Sequence, residues 1–283
     1  MQGTVAERIR NARGRLTPLE RRIADALFDS DLVLGLENVA GVAQQAKVSG
    51  PTVVRFVIKL GFPGFPQFQS ALRNELRERL ASPLDHYQQI LSRNEKAPPA
   101  AGMSRVFTSG ISRTLGRLKA GTLTAACREL LNPSRRVSLV GGRFTHLLAQ
   151  MLWAHLHQLR ADTVMLRANV VSLPQHVFDM GPRDVLVVFD VRRYQADIVE
   201  LARLARRQRA TLILVTDPML SPIARWAKYV FVCDLDTPSP HHSLVPCLAL
   251  VEALVGELGS LCGEPGRSRI ARLEMLRDDA RSV

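Results

Sequence analysis

The sequence has few cysteines, and no pattern suggests a chemical role for them. Its four cysteines, Cys127, Cys233, Cys247 and Cys262, include no Cys-x-x-Cys pair, so neither a disulfide framework nor a zinc ribbon is expected. The start of the chain lacks the apolar core of a signal peptide, and no run of about 20 apolar residues could span a bilayer. We therefore expect a cytoplasmic protein with no membrane partner, in which the cysteines are small core residues.

Motifs of catalysis and metal binding are also missing. The sequence contains no Gly-x-x-x-x-Gly-Lys-Ser/Thr phosphate loop, and no Ser/His/Asp or Cys/His order indicates a hydrolase. His155 and His157 are two residues apart on a predicted helix and would face different directions. We therefore predict no metal site and no cofactor.

Acidic residues are too few to balance the basic ones. The chain has 26 Asp and Glu against 38 Lys and Arg, which gives a formal charge of +12 over 283 residues. This excess favours an anionic partner, and nucleic acid is a common one. Residues 1–80 carry 12 basic and 8 acidic side chains, so the excess is not confined to one region. An arginine-rich proteome would give the same balance.

The stretch from Val39 to Gly61 has the pattern of a helix-turn-helix. Apolar residues at helical spacing predict a first short helix that ends near Ala46. Ser49 is placed to cap a second helix with its hydroxyl, and Pro51 suits the first turn of that helix. Two helices joined by a tight turn present the second one to the DNA major groove. Capped amphipathic helices also occur in helical domains that bind no DNA, so a structural role is an alternative.

The second helix has one apolar and one polar side. Val53, Phe56, Val57 and Leu60 are predicted to point inward and Thr52, Arg55 and Lys59 outward. We predict that Thr52 and Arg55 face base edges or nearby phosphates and that Lys59 meets the phosphate backbone. The predicted DNA-binding residues are Gln44, Lys47, Ser49, Gly50, Pro51, Thr52, Arg55 and Lys59.

Residues before and after this motif complete a small helical domain over residues 1–80. Thr17, Pro18 and Glu20 have the spacing of a capping box that starts a helix ending near Phe28. The residues expected to pack this helix on the motif are Leu19, Ile23, Ala26 and Leu27. A further helix is predicted to run to about Leu80. Residues 81–119 read as a linker with connecting helices, with Pro-rich stretches at 82–83 and 95–102.

From residue 120 to residue 283 short apolar runs alternate with helical patterns. The predicted strands are 137–140, 163–166, 184–190, 211–216 and 229–233, and the predicted helices between and after them are 146–159, 198–209 and 244–261. This alternation indicates a parallel sheet covered on both faces. The predicted fold class is therefore α/β, with an all-α helix-turn-helix N-terminal domain and a doubly wound parallel-sheet domain.

The sequence resembles the RpiR-type bacterial transcriptional regulators. The resemblance rests on these short sequence segments: Val48-Ser49, Thr52-Val53, Arg55-Phe56, Lys59-Leu60-Gly61-Phe62 and Gly64-Phe65, followed by Thr216-Asp217, Ser221-Pro222-Ile223-Ala224 and Ala227. The first group resembles the family's N-terminal domain and the second its sugar isomerase (SIS) domain. The resemblance implies a homodimer or homotetramer that binds a double-stranded DNA operator, with an affinity set by a small metabolite held in the SIS domains.

Two loops depart from the pattern of family members that bind phosphosugars. Such members place hydroxyl side chains after the first strand and after a later one, where they hold a phosphate at helix N-termini. Here Thr145 stands in for the first serine, while Asp190, Arg192 and Gln195 replace the later hydroxyls. Arginine suits carboxylates as well as phosphates, so the predicted ligand is a small anion, either a phosphosugar or a carboxylate. The predicted effector residues are Gly141, Gly142, Arg143, Thr145, Asp190, Arg192, Arg193 and Gln195.

The expected function is therefore a metabolite-responsive DNA-binding regulator and not an enzyme. The main alternative is an SIS-fold phosphosugar isomerase, for which Glu252 is the nominated base. A purely structural role of the two loops, with no ligand, also stays open.

Overall fold

The computed structural model describes residues 3–80, 82, 84–85, 87–88, 100–167, 173–237, 239 and 241–281. The helices with given bounds are α1 (Val5–Ala12), α2 (Pro18–Asp29), α3 (Val39–Gln45), α4 (Gly50–Lys59), α5 (Phe65–Leu80), α6 (Ala100–Gly116), α7 (Thr122–Leu131), α8 (His146–Leu159), α9 (Leu173–Val177), α10 (Ala196–Arg207), α11 (Val245–Leu261) and α12 (Gly263–Arg281). The strands are β1 (Arg136–Gly141), β2 (Thr163–Met165), β3 (Asp184–Phe189), β4 (Thr211–Thr216) and β5 (Tyr229–Val232).

Helix caps and an apolar core hold the N-terminal domain together. Thr17 and Glu20 form the predicted capping box of α2, with hydrogen bonds of 2.8 and 3.3 Å between backbone N–H groups and side-chain oxygens. Ile23 and Leu27 are buried as predicted, and Ala26 is partly buried. The prediction for Leu19 was wrong, because 46% of this residue is exposed on the outer side of α2.

Helix α5 fixes α1 by a contact that the sequence did not predict. The buried Glu75 carboxylate accepts hydrogen bonds from Val5 N at 2.6 Å and Ala6 N at 3.4 Å. The first amide groups of a helix have no hydrogen-bond partner within the helix, so this carboxylate satisfies them from a neighbouring element. Its negative charge also interacts favourably with the positive end of the helix dipole.

The second domain is the predicted parallel sheet. Its strands are all parallel and lie in the order β2-β1-β3-β4-β5, the doubly wound order in which the chain changes direction between β1 and β3. Each strand begins and ends within one residue of its predicted bounds. Buried residues on both sheet faces account for the continuously apolar strand sequences.

The two domains share apolar surface. The cluster formed by the core of the N-terminal domain continues through Leu220 and Ile223 onto the sheet face that α10 covers. Helix α6 packs along α11, so the helical part of the predicted connecting region lies against the SIS-like domain. The other predicted linker residues fall mostly outside the described residues.

Three of the four cysteines are core residues as predicted. Cys127, Cys233 and Cys247 are buried, whereas Cys262 is half-buried. Burial raises the pKa of the Cys127 thiol to about 12, which keeps this thiol protonated and unreactive at neutral pH. Among the described residues, no single helix is long and apolar enough to cross a membrane; α11 and α12 pass that test only as a pair bent by 106°.

A buried guanidinium secures the C-terminal end of α7. Arg160 is 7% exposed and donates to the carbonyl oxygens of Leu130 (2.9 Å), Asn132 (2.7 Å), Ala161 (2.7 Å) and Arg135. Burial lowers the pKa of Arg160, and the backbone acceptors compensate for the lost hydration of the charge.

We predict that Arg160→Lys destabilises the protein by about 2–4 kcal/mol, because a single ammonium cannot satisfy four diverging carbonyl groups. Urea unfolding monitored by circular dichroism measures the change, with Arg206→Lys on the exposed side of α10 as the matched control. A loss no larger than that of the control would contradict this role.

Candidate DNA-binding surface and effector pocket

The helix-turn-helix is formed by α3 and α4, and most of its predicted DNA-binding residues face solvent. Gln44, Lys47, Ser49, Pro51 and Arg55 are exposed, and Gly50 is half-buried. Lys47 adopts a left-handed backbone conformation with φ of 52° and forms the turn between the helices. The turn therefore places a lysine beside the N-terminal end of α4, the end that meets DNA in this motif.

Two predictions at the start of α4 need correction. Ser49 is the N-cap residue, but its hydroxyl makes no bond to a backbone amide; it lies 2.8 Å from the Thr52 hydroxyl instead. Thr52 is only 6% exposed, so it is not the outward-facing residue that was predicted. Arg55 Nη2 donates to Thr52 Oγ1 at 3.4 Å. Thr52 therefore orients Ser49 and Arg55 and has little surface of its own to offer to DNA.

Lys59 is engaged within the domain. Its Nζ lies 2.6 Å from Glu20 Oε2, which joins the end of α4 to the start of α2. Burial raises the pKa of Glu20, but the hydrogen bonds from Lys59 and Thr17 outweigh it and hold this pKa below its usual value. The ion pair makes Lys59 less available to a DNA phosphate than the sequence-based assignment required.

A pocket of about 550 Å³ lies at the carboxyl ends of β1 and β3, the point where the strand order reverses. Open α/β sheets bind their ligands at this position. Seven of the eight predicted effector residues line it, and the exception is Gly141, which packs behind the loop. The lining residues are Gly142, Arg143, Phe144, Thr145, Asp190, Val191, Arg192, Arg193, Gln195, His241, His242 and Leu244.

In the first loop, residues 142–145 after β1, the polar groups are hydrogen-bonded within the protein. Thr145 Oγ1 accepts from Gly142 N and donates to Phe189 O, both at 2.8 Å. Arg143 N donates to Gln195 Oε1 at 2.5 Å, which ties this loop to the second one. A Cβ on Gly142 would lie 2.3 Å from Gln195 Oε1, so a side chain there would displace the end of Gln195. Thr145 therefore does not present a free hydroxyl in the way that a phosphate-holding serine would.

The second loop, residues 190–195 after β3, carries two arginines in a rare backbone conformation. Arg192 and Arg193 have φ values of 40° and 42°, in the left-handed region that non-glycine residues seldom adopt. Asp190 is 2% exposed, and its carboxylate accepts from Ser221 Oγ at 2.5 Å and from Gln195 N at 3.4 Å. These contacts anchor Asp190 in the protein, beside the residue that caps α10.

Asp217 holds the second loop in place, a role that the sequence analysis missed. This fully buried residue follows β4, and its carboxylate accepts from Arg192 N at 2.5 Å, Met219 N at 2.7 Å and Tyr194 OH at 3.0 Å. Hydrogen bonds to an ionised acceptor stabilise a structure by about 1.5–3 kcal/mol each. Two of these bonds, from Arg192 N and Tyr194 OH, come from the loop itself and help to hold its left-handed residues in place.

The segment from Asp217 to Trp226 contacts the helix-turn-helix domain. Pro218 O accepts from Thr4 Oγ1 at 2.5 Å. Arg225 Nη1 donates to Phe28 O at 3.1 Å and to Asp29 Oδ1 at 2.8 Å. The loop itself also reaches this domain, since Arg192 Nη1 lies 3.4 Å from Glu78 O. The segment that begins with Asp217 therefore contacts both the second pocket loop and the helix-turn-helix domain.

The arrangement is that of a helix-turn-helix domain joined to a ligand-binding α/β domain. Comparison with known proteins agrees with it. The helix-turn-helix domain of the rpiR family matches residues 3–79, and the SIS domain matches residues 130–256. The chain belongs to the RpiR family of helix-turn-helix transcriptional regulators that carry an SIS domain.

Individual relatives are distant. The HTH-type transcriptional regulator HexR of Escherichia coli is 22% identical over 97% of this chain and 94% of its own. The bifunctional protein glk of Burkholderia orbicola is 27% identical over 81% of this chain, which spans only 35% of that protein. The solved structure of Vibrio vulnificus NanR covers 96% of this chain and 97% of its own, with a TM-score of 0.52 and 15% identity, and therefore supports the fold alone.

We expect Lys47→Gln to weaken DNA binding across sequences and to reduce the slope of log affinity against log salt by about one, because one phosphate contact is lost. Fluorescence anisotropy with a genomic fragment selected by the purified protein measures this slope. Lys59→Gln is the matched control and should change the slope less, since its ammonium lies on Glu20. A larger slope change for Lys59→Gln than for Lys47→Gln would contradict the assignment.

Proposed function

We propose that this chain binds double-stranded operator DNA through α4 and that a small anion in the pocket between β1 and β3 sets its DNA affinity. The observation that carries the proposal is the continuity of contacts from the pocket loop, through Asp217 and the segment after it, to the helix-turn-helix domain. Operator DNA lies in the cytoplasm of a bacterial cell, which we propose as the site of action.

The chemistry of the pocket supports an anion and favours a carboxylate over a sugar phosphate. Arg143, Arg192 and Arg193 line it together with His241 and His242. Guanidinium groups bind carboxylates in a bidentate manner. The amide and hydroxyl groups that cradle a phosphate in related loops are here bonded to the protein itself, as at Thr145 and Arg143 N. A phosphosugar is the second candidate, since the NanR structure is a complex with ManNAc-6P.

The proposed coupling runs through Arg192. Its backbone N–H is held by Asp217, its side chain lines the pocket, and its Nη1 lies 3.4 Å from the Glu78 carbonyl in α5. An anion that attracts the guanidinium competes with this carbonyl, which belongs to the DNA-binding domain. Binding then shifts the balance between two positions of the domain by the difference in affinity of the anion for them.

A catalytic role is less well supported than a regulatory one. An isomerase requires a base within reach of its substrate. Glu252, the base nominated for that alternative, is exposed on α11 and is not among the residues that line the pocket. The Asp190 carboxylate is held by Ser221. We therefore propose that the pocket binds its ligand without converting it.

Assembly is proposed to join two or four copies through the SIS-like domain. Phe144 and Leu147 are 61% and 67% exposed at the start of α8, and Leu248 is exposed on α11, which packs on α8. Exposed apolar residues close together indicate an interface. A two-fold axis there would present two α4 helices to a near-palindromic operator.

We predict that Arg192→Ala abolishes the effect of the anion on DNA affinity and leaves anion-free binding within about twofold of the wild type. The measurement is operator affinity with and without each member of a panel that includes citrate, malate and 6-phosphogluconate. Arg206→Ala removes an exposed arginine of α10 outside the pocket and should respond as the wild type does. A normal response of Arg192→Ala would place the effector site elsewhere.

A second prediction concerns assembly. Leu147→Glu introduces charge into the proposed interface and should convert the oligomer to a monomer at micromolar concentration, as measured by light scattering. Leu276→Glu, which alters an exposed leucine near the end of α12, is the control and should leave the mass unchanged. A wild-type chain that is monomeric at that concentration would contradict the proposed assembly.

A further inference from the structure

A second cleft, of about 980 Å³, lies between the two domains and away from the effector pocket. Helix α1 of the DNA-binding domain forms one wall. The segment between α6 and α7, with the adjoining ends of both helices (residues 116–122), forms another wall, and the edge strand β5 forms the third. Ligand pockets occur preferentially at domain interfaces, and this volume lies in their usual range.

The cleft is strongly cationic. Five basic residues line it, from both domains, against a single acidic residue, Glu7. The basic residues are Arg10, Arg113, Arg117, Lys119 and Lys228.

Two of these side chains are in ion pairs, and three have no partner at ion-pair distance. Arg113 is paired with Asp234, and Lys228 is paired with Glu129. Within the described part of the chain, the side chains of Arg10, Arg117 and Lys119 form neither a hydrogen bond nor an ion pair, although Glu7 attracts Arg10 and Arg117 from a longer distance. Three cations without ion-pair partners that share one concave site repel one another, and a bound anion would remove that repulsion.

Glu7 balances only part of the positive charge of these cations. Its carboxylate accepts from Thr4 N at 3.2 Å as part of the capping box of α1. Burial raises the pKa of Glu7 and lowers the pKa of Arg10, with Glu7 offsetting only part of the latter effect. Glu7 attracts both Arg10 and Arg117, but one carboxylate facing three cations that have no ion pair leaves the cleft with an excess of positive charge.

We propose that this interdomain cleft binds a small polyanion with two or more phosphate groups, of the class of pyrophosphate or a nucleoside polyphosphate. Several phosphates match cations that lie on different walls, and arginine forks suit phosphate oxygens. The concave shape favours a compact ligand over duplex DNA, whose expected contact is the exposed side of α4. Because Arg10 belongs to α1 while Arg117 and Lys119 precede α7, such a ligand bridges the two domains.

Isothermal titration of the full-length protein with sodium pyrophosphate, without DNA, tests the proposal. Wild-type protein should bind it, and Arg117→Gln and Lys119→Gln should each weaken binding about tenfold, the effect of losing one charged contact of about 1.4 kcal/mol. Both residues are exposed, so the fold should survive, which thermal melting checks. Arg206→Gln and Arg193→Gln are the controls, and the latter alters the effector pocket alone.

Three outcomes would overturn the proposal. They are no binding of pyrophosphate at millimolar concentration, unchanged affinity in both cleft variants, and a loss in Arg193→Gln equal to theirs. If the cleft variants instead keep their pyrophosphate affinity and lose affinity for sheared genomic duplex, the cleft is a DNA contact and the proposal is also wrong. Binding confined to the cleft is independent of whether Arg192 controls the operator affinity, so the two hypotheses can fail separately.

Discussion

Two buried carboxylates at the ends of neighbouring strands determine how the rest of this structure is arranged. Asp190 follows β3 and Asp217 follows β4, and they are 2% and 0% exposed. A buried carboxylate must be hydrogen-bonded, because losing its hydration without compensation is costly. Asp190 accepts a hydrogen bond from Ser221, and Asp217 accepts hydrogen bonds from Arg192, Tyr194 and Met219. The pocket loop and the segment after β4 are thereby held as one unit.

That unit brings the pocket next to the helical domain. The segment after β4 carries Pro218 and Arg225, which bond to Thr4, Phe28 and Asp29 of the helical domain. Leu220 and Ile223 of the same segment extend the core of that domain. In the proposed mechanism, a ligand that alters the backbone of Arg192 acts on residues that touch the helical domain directly, so no long chain of intermediate contacts is required.

The sequence predicted those features that repeat along the chain. Helices with capping residues, such as the one that begins after Thr17, and strands with continuous apolar runs were placed within two or three residues. The pocket could be predicted because open α/β sheets bind ligands at the carboxyl ends of their strands, and the loops there directly follow the strands in the sequence. Arg143 and Arg192 belong to such loops, and both line it.

Contacts between residues far apart in the sequence could not be predicted in this way. Lys59 was assigned to DNA because it is basic and outward-facing, yet Glu20 lies 39 residues before it and pairs with it. Thr52 was assigned outward by helical spacing, whereas packing leaves it 6% exposed. Asp217 was noted only within the Thr216-Asp217 segment that resembles the family, since two of its three donors come from a loop about 25 residues earlier. Spacing describes one helix or strand at a time, and these roles depend on pairs of them.

The most direct test of the shared unit is hydrogen–deuterium exchange of the full-length protein carrying Asp217→Asn. An amide group at this position cannot accept from all three donors, so the account predicts faster exchange both in the loop at 190–195 and in α1 and the end of α2, with α8 unchanged. Asp184→Asn, which removes the partner of Arg136 at the opposite end of the sheet, should affect only its own surroundings. Faster exchange in the loop with no change in α1 or α2 would contradict the account.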